Sequence, residues 1–148
     1  MACLSTSISS AEPVKKVATL KYSPEFILKV ILEHKTLDFR PDVPMSELMV
    51  SSKALLKNFQ DDVDPQWGMR LADITNVFVI LKNKIYVSDE KAYYDKTGRC
   101  IDDSLAHELT HYIQVKYRGW NLDDDSLEWD AIDTQSWFRE KYCPPAKP

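Results

Sequence analysis

Apolar positions in the first third of the chain recur at helical spacing. A helix is predicted over about 23–37, where Ser23 supplies an N-cap and Pro24 takes the first helical position ahead of an apolar stripe. A second, less regular stripe predicts a helix over about 46–59, and the acidic stretch 61–65 ends it. The first third of the chain is therefore expected to be helical.

The middle of the chain has the pattern of a β-hairpin. Val77–Leu81 is a continuous run of β-branched, aromatic and aliphatic residues, and Lys84–Val87 is a second, shorter run. The polar pair between them, ending in Asn83, can form a tight turn because asparagine tolerates a positive φ. Residues 89–98 are polar and are predicted to form a loop.

Two more helices are predicted in the last third. Asp102–Ser104 can cap a helix over about 103–118, and Gly119 gives that helix a stop. The last helix is predicted over about 126–142. Helices, a hairpin and two further helices together indicate an α+β domain, with helices packed on a small antiparallel sheet.

Composition narrows the choice of class. The 148 residues, 44% of them hydrophobic, suit one globular domain, and the net charge of −4 argues against nucleic acid as a partner. No apolar run approaches the roughly 18 residues of a membrane span.

We expect residues 21–143 to be the domain and 144–148 a disordered tail. Residues 1–20 are expected to be a leader, either the remnant of a signal peptide or a polar terminus, because Ser9–Ala11 has the small residues of a cleavage site.

The three cysteines are too few for a disulfide scaffold and lack metal-clip spacing. Cys3 lies in the leader, which leaves Cys100 and Cys143 either as two free thiols or as one disulfide. A disulfide would join the segment before one helix to the end of the next and would imply an oxidising compartment. Export is for that reason favoured over a cytoplasmic location.

Residues 107–111, His-Glu-Leu-Thr-His, carry the clearest chemistry and lie inside a predicted helix. Spacing of four residues places His107 and His111 on one helix face, one turn apart, where two imidazole nitrogens can reach one zinc ion. Glu108 then lies beside the metal and can take a proton from a water held there. The motif predicts a catalytic zinc site.

A catalytic zinc needs a third protein ligand, and the last predicted helix offers three carboxylates. Glu128 is favoured because the small Ala131, one turn later, allows that helix face to approach the histidines. Asp130 is rotated by roughly 200° from Glu128 and cannot share its direction. Asp133 is also well rotated, and both aspartates are kept as alternatives.

The two histidines, followed after a loop by Glu128-x-x-Ala131 on the next helix, resemble the gluzincin branch of the zincin metallopeptidases. In that branch two histidines come from one helix and a glutamate comes from the next. The longer string from His107 to Gln114 is similar to small bacterial zincin-like domains. The resemblance covers about residues 77–142.

This resemblance implies a zincin-like fold and one zinc ion held by His107, His111 and Glu128. It also implies that Glu108 is the general base, which takes a proton from the water that hydrolyses a peptide bond. Thermolysin-like enzymes have an aspartate four residues after the ligand glutamate, and this chain has Ile132 there.

The family pattern also implies a peptide or protein substrate in extended conformation, paired with a strand of the hairpin. A hydroxyl that stabilises the oxyanion would come from a tyrosine, and the candidates are Tyr93, Tyr94, Tyr112 and Tyr117. Two other functions fit the same motif. One is a non-catalytic binding module that zinc stabilises, and the other is hydrolysis of a non-protein amide or a cell-wall peptide.

Overall fold

The computed structural model describes residues 16–145, which form a small α+β domain, the class that the sequence predicts. The helices are α1 (Pro24–His34), α2 (Leu56–Trp67), α3 (Lys91–Thr97), α4 (Ile101–Tyr112) and α5 (Ser126–Tyr142). The strands are β1 (Glu47–Val50), β2 (Val77–Val79) and β3 (Lys84–Val87). A π-helical turn, Ile113–Tyr117, continues α4.

The three strands form one sheet in the order β1-β3-β2. The predicted hairpin is confirmed: β2 runs antiparallel to β3, with Phe78 opposite Ile85, and Asn83 takes φ 46° in the turn. The prediction of a purely antiparallel sheet is wrong, because β1 pairs with β3 in parallel. In this sheet β2 is an edge strand, and the site described below lies beside it.

The helix predicted over about 46–59 is also wrong. Its first part is β1, whose pairing with a strand far along the chain cannot be seen in local periodicity. The helix begins only at Leu56 and continues through the acidic stretch that was expected to end it. Phe59 and Val63 explain this, because they bury one face of α2 against the sheet, and Asp62 bonds Tyr86 and Lys84 of β3 beside them.

The other boundaries differ less. The first helix ends at His34 rather than near Leu37. Thr36 takes a positive φ of 57°, which is incompatible with a continuing right-handed helix. The polar segment 89–98 contains the short helix α3 in place of a loop. The last helix has the predicted bounds.

Helix α4 lies at the centre of the fold. It packs against α1, α5 and both strands of the hairpin, and Leu105, Ala106 and Leu109 are each at most 1% exposed. Its apolar faces are covered by the core, in which Ile31 of α1 and Phe138 of α5 are fully buried. The polar face of α4 is therefore fixed in direction by packing on the other sides.

Two further contacts tie the ends of the domain together. The sulfurs of Cys100 and Cys143 form a disulfide between the start of α4 and the end of α5, with their Cα atoms 6.0 Å apart. The backbone N–H groups of Lys21 and Tyr22 donate to the buried carboxylate of Asp102. Most of the expected leader, residues 1–15, and residues 146–148 of the expected tail lie outside the described residues.

Within residues 16–145, no helix combines the length and the apolar character that a membrane crossing requires.

Candidate metal centre

His107, His111 and Glu128 converge at one point between α4 and α5. Glu128 Oε1 lies 3.0 Å from His107 Nε2, and Glu128 Oε2 lies 3.1 Å from His111 Nε2. The three potential ligand atoms all lie within 4.8 Å of one another. The structure thus brings the favoured carboxylate to the shared focus of both imidazoles.

Local sequence explains this convergence. The two histidines are one turn apart on the polar face of α4, and their side chains are only 15% and 12% exposed. Ala131, fully buried, lies one turn after Glu128 on α5, a helix that packs closely on α4. A larger side chain at Ala131 would push the two helices apart and withdraw the glutamate.

His107 is held from behind by a chain of hydrogen bonds. Its Nδ1 lies 2.8 Å from Gln135 Oε1, and Gln135 Nε2 donates to Asp103 Oδ1 at 2.7 Å. The other oxygen of Asp103, which is fully buried, accepts from Arg139 Nε at 3.1 Å. Because the amide nitrogen of Gln135 is committed to Asp103, its oxygen faces the ring and His107 Nδ1 must be the donor.

His111 is held in the same manner by a second glutamine. Its Nδ1 lies 2.8 Å from Gln114 Oε1, and Gln114 Nε2 donates to Asp130 Oδ2 and to the Leu127 carbonyl, each at 2.9 Å. Asp130 in turn pairs with Lys35 at 2.7 Å. Gln114 lies in the π-helical turn, a wider turn that often marks a functional site.

These hydrogen bonds fit a bound cation. When Nδ1 donates, a neutral imidazole directs the lone pair of its Nε2 at a carboxylate oxygen of Glu128. Two hydrogen-bond acceptors then face each other at both contacts, which a cation between them would stabilise. Burial lowers the pKa of His107, although the charge of the neighbouring Glu128 acts to raise it. The lowered pKa favours the neutral ring. Tetrahedral zinc holds N and O ligands about 3.3 Å apart, and each of the two N–O separations, one to each oxygen of Glu128, lies within a few tenths of an ångström of that value.

Glu108 lies in the same cleft without joining the three converging groups. It is 6% exposed, and burial raises its pKa to about 8, with the charge of Glu128 adding to the rise. The neighbouring backbone of Phe78 has the opposite effect on this pKa. A carboxylate in this position is well placed to exchange a proton with a molecule held at the focus.

The cleft has a volume of about 310 Å³ and lies between α4, the end of α2 and the edge of β2. The cleft is lined by His107, Glu108 and His111 of α4 and by Glu128 of α5. The other lining residues are Gln66, Trp67, Asn76, Val77, Phe78 and Leu122. Trp67 and Leu122 give it apolar surface beside the polar focus.

None of the four tyrosines proposed as oxyanion donors is among the residues that line this cleft. The hydroxyl of Tyr112 donates to the Pro44 carbonyl, and that of Tyr94 donates to the Ser88 carbonyl. The hydroxyl of Tyr117 accepts from the backbone of Arg40. Tyr93 and Tyr94 both belong to α3, and their rings pack edge-on.

The two alternative ligands are not brought to the focus. Asp130 holds Lys35 and Gln114 and so supports His111 from behind. Asp133 is exposed on α5 and is not part of the converging group.

Four residues of the candidate site were not predicted from the sequence: Gln135, Asp103, Gln66 and Asn76. Gln135 could have been found, because it lies seven residues after Glu128 and therefore on the same face of α5. Gln66 and Asn76 reach the cleft only through the packing of α2 on the sheet, and no local pattern marks them.

Comparisons with protein-family models, curated proteins and solved structures found no match for this chain. The assignment of the site therefore depends on its own geometry and chemistry.

Proposed function

We propose that this protein is a zinc-dependent hydrolase of peptide bonds, with one zinc ion held by His107, His111 and Glu128. The observation that carries the proposal is the carboxylate of Glu128 facing two imidazole nitrogens at 3.0 and 3.1 Å, while the other nitrogen of each ring lies against the amide oxygen of a glutamine. Three protein ligands leave a fourth tetrahedral position for water or substrate, as a catalytic zinc requires.

Zinc in this position would polarise the scissile carbonyl and lower the pKa of a water molecule towards about 7. Glu108 takes the proton from that water as its oxygen adds to the carbonyl carbon. The C–N bond then breaks, and Glu108 returns the proton to the leaving nitrogen, which gives a carboxylic acid and an amine. Burial raises the pKa of Glu108 in the metal-free chain, and the positive charge of a bound zinc ion would lower it again, so the carboxylate would be free to accept the proton near neutral pH.

The cleft also offers means of holding a peptide. Strand β2 is an edge strand that lines the cleft, so an extended backbone can lie beside it. Asn76 lines the same cleft, and its Oδ1 accepts from the backbone of Ser88 at 2.8 Å, which leaves the Nδ2 group to donate. We assign to Asn76 the role of donor to the developing oxyanion, which sequence analysis sought among tyrosines.

The same proposal places the chain among zincin-like, gluzincin-type domains. Support comes from an active-site helix packed on a sheet, an edge strand beside it and a glutamate from the following helix. Ile132 stands where thermolysin-like enzymes carry an orienting aspartate, and Gln135 holds His107 from the same helix instead.

The direct test is Glu108→Gln in the zinc-loaded protein, compared with Glu140→Gln on the exposed part of α5. We expect Glu108→Gln to keep the fold and the zinc while lowering turnover of unfolded proteins and peptides by about 10²–10⁴-fold. The control should hydrolyse as the unsubstituted chain does. Equal inactivity of all three zinc-loaded proteins on peptides, other amides and wall fragments would favour a zinc-stabilised binding module.

A further inference from the structure

The free edge of β2 is already partly occupied by a side chain. Gln66, in the last turn of α2, donates its Nε2 to the Phe78 carbonyl at 2.8 Å and accepts from the Ile80 N–H at 2.9 Å. These are backbone groups that a neighbouring strand would otherwise bond. The carboxamide of Gln66 therefore takes the place of one peptide unit on this edge.

The N–H of Phe78 points to the same edge, because an antiparallel residue directs its N–H and its carbonyl to one side. Phe78 and Glu108 both line the cleft at this edge. From the Phe78 carbonyl to the Ile80 N–H the outward groups are thus used within the protein, so a ligand can pair with this edge from the Phe78 N–H towards Asn76. A docked chain can pair there and then meets Gln66.

Helix α2 is not free to withdraw. Phe59 and Val63 are 0% and 1% exposed against the sheet, and Phe59 packs edge-on against Tyr86. Asp62 accepts from the hydroxyl of Tyr86 at 2.6 Å and pairs with Lys84 at 3.0 Å. The end of the helix, with Gln66 and the adjoining Trp67, is a fixed wall of the cleft.

We propose that Gln66 is a specificity-determining residue that ends the peptide-binding edge, so that the cleft accepts one terminus of a peptide rather than the middle of a long chain. This inference rests on the proposed function, because it takes the ligand of the cleft to be a peptide. It goes further by naming the substrate class: short peptides and chain ends, trimmed from one terminus.

The experiment measures binding, so that it does not depend on turnover. Zinc-loaded Glu108→Gln protein is titrated with a fluorescent hexapeptide and with the same peptide extended by four residues at its N-terminus or at its C-terminus. The titrations are repeated with Gln66→Ala added. Gln60→Ala is the matched control, because Gln60 lies on the same helix and bonds the Leu71 carbonyl away from the cleft.

With Gln66 present, we expect one of the two extensions to weaken binding at least tenfold. Gln66→Ala should remove that penalty, so that the extended peptide and the hexapeptide bind the variant with equal affinity, and Gln60→Ala should keep the penalty. Equal tolerance of both extensions with Gln66 present overturns the inference. A penalty that Gln66→Ala does not relieve overturns the inference too. The same holds if Gln66→Ala raises the affinity for all three peptides by the same factor, because the penalty on the extended peptide would then remain.

The fate of the proposed function is measured separately, by hydrolysis with the chain that retains Glu108. Hydrolysis without any length discrimination would leave the proposed function standing and reject the role of Gln66. A penalty that Gln66→Ala relieves, in a chain without hydrolytic activity, would reject the function and keep the role of Gln66 in peptide binding. Failure of every peptide to bind rejects the role of Gln66 whatever the hydrolysis assay gives.

Discussion

The amide nitrogen of Gln135 donates to the carboxylate of Asp103 at 2.7 Å, and this bond turns the amide oxygen of Gln135 towards Nδ1 of His107. A glutamine that donates to Asp103 can only accept from His107, so Nδ1 keeps its proton and Nε2 is left for coordination. Gln114 and Asp130 give His111 the same arrangement. Each imidazole is thus backed by an amide and a carboxylate.

The first prediction concerns Gln135. Gln135→Met keeps the volume of the side chain but removes both hydrogen bonds, so His107 loses its fixed tautomer and orientation. We expect zinc affinity to fall by about 10–100-fold. Competition with a chromophoric chelator measures it, on protein whose folding is checked by circular dichroism.

Gln60→Met is the control, because that glutamine is also hydrogen-bonded but lies away from the focus. It should bind zinc as tightly as the unsubstituted chain. If Gln135→Met and Gln60→Met had the same affinity, the hydrogen bond to His107 would have no part in holding the metal.

A second prediction concerns the disulfide. Cys100 and Cys143 are 43 residues apart, and the bond restricts the unfolded chain over that whole loop. Replacing both with alanine should lower the free energy of unfolding by about 2–4 kcal/mol. Urea denaturation of the metal-free proteins measures it, and reduction of the unsubstituted chain should cause a loss of similar size. Equal stability before and after reduction would contradict the predicted stabilisation.

The third prediction concerns acid stability and Asp89. Burial alone would raise the pKa of this carboxyl, but hydrogen bonds from Ser52 and Ser51 outweigh burial and lower it. A lowered folded-state pKa stabilises the fold above the unfolded-state pKa of about 3.9, and that stability is lost as the pH falls through the folded-state value.

Asp89→Asn should therefore be less stable than the unsubstituted chain at pH 7, by about 2 kcal/mol, since a charged acceptor is lost. The difference should shrink as the pH falls below about 4. Urea denaturation across a pH series measures both values. A difference that stays constant down to the most acid point would show that the charge of Asp89 does not stabilise the fold.

How much the sequence could predict depended on the range of the interactions. Local periodicity predicts the hairpin and the bounds of α5. Local spacing also places the two histidines of the motif on one helix face, where both can reach one zinc ion. Glu128 could be favoured because its position on α5 relative to Ala131 is also local.

Strand β1 could not be predicted, since four residues that pair in parallel with a distant strand carry no distinctive local pattern. Gln66 was missed for a related reason. Its carboxamide reaches the edge of β2 only after α2 has packed on the sheet through Phe59 and Val63. Side chains that tertiary packing brings to the cleft were therefore missed, whereas His107, His111 and Glu128 could be proposed from their positions on helices, and Gln135 was missed although its spacing from Glu128 is local.

The most direct test of the central claim is zinc stoichiometry and affinity in Glu128→Gln, compared with Asp133→Asn on the exposed face of the same helix. The unsubstituted chain and Asp133→Asn should each bind one zinc ion per chain with equal affinity, His107→Ala/His111→Ala should bind none, and Glu128→Gln should bind at least about tenfold more weakly. Absence of zinc binding by the unsubstituted chain, or equal affinity in Glu128→Gln and Asp133→Asn, would contradict the assignment of these three residues as a metal centre.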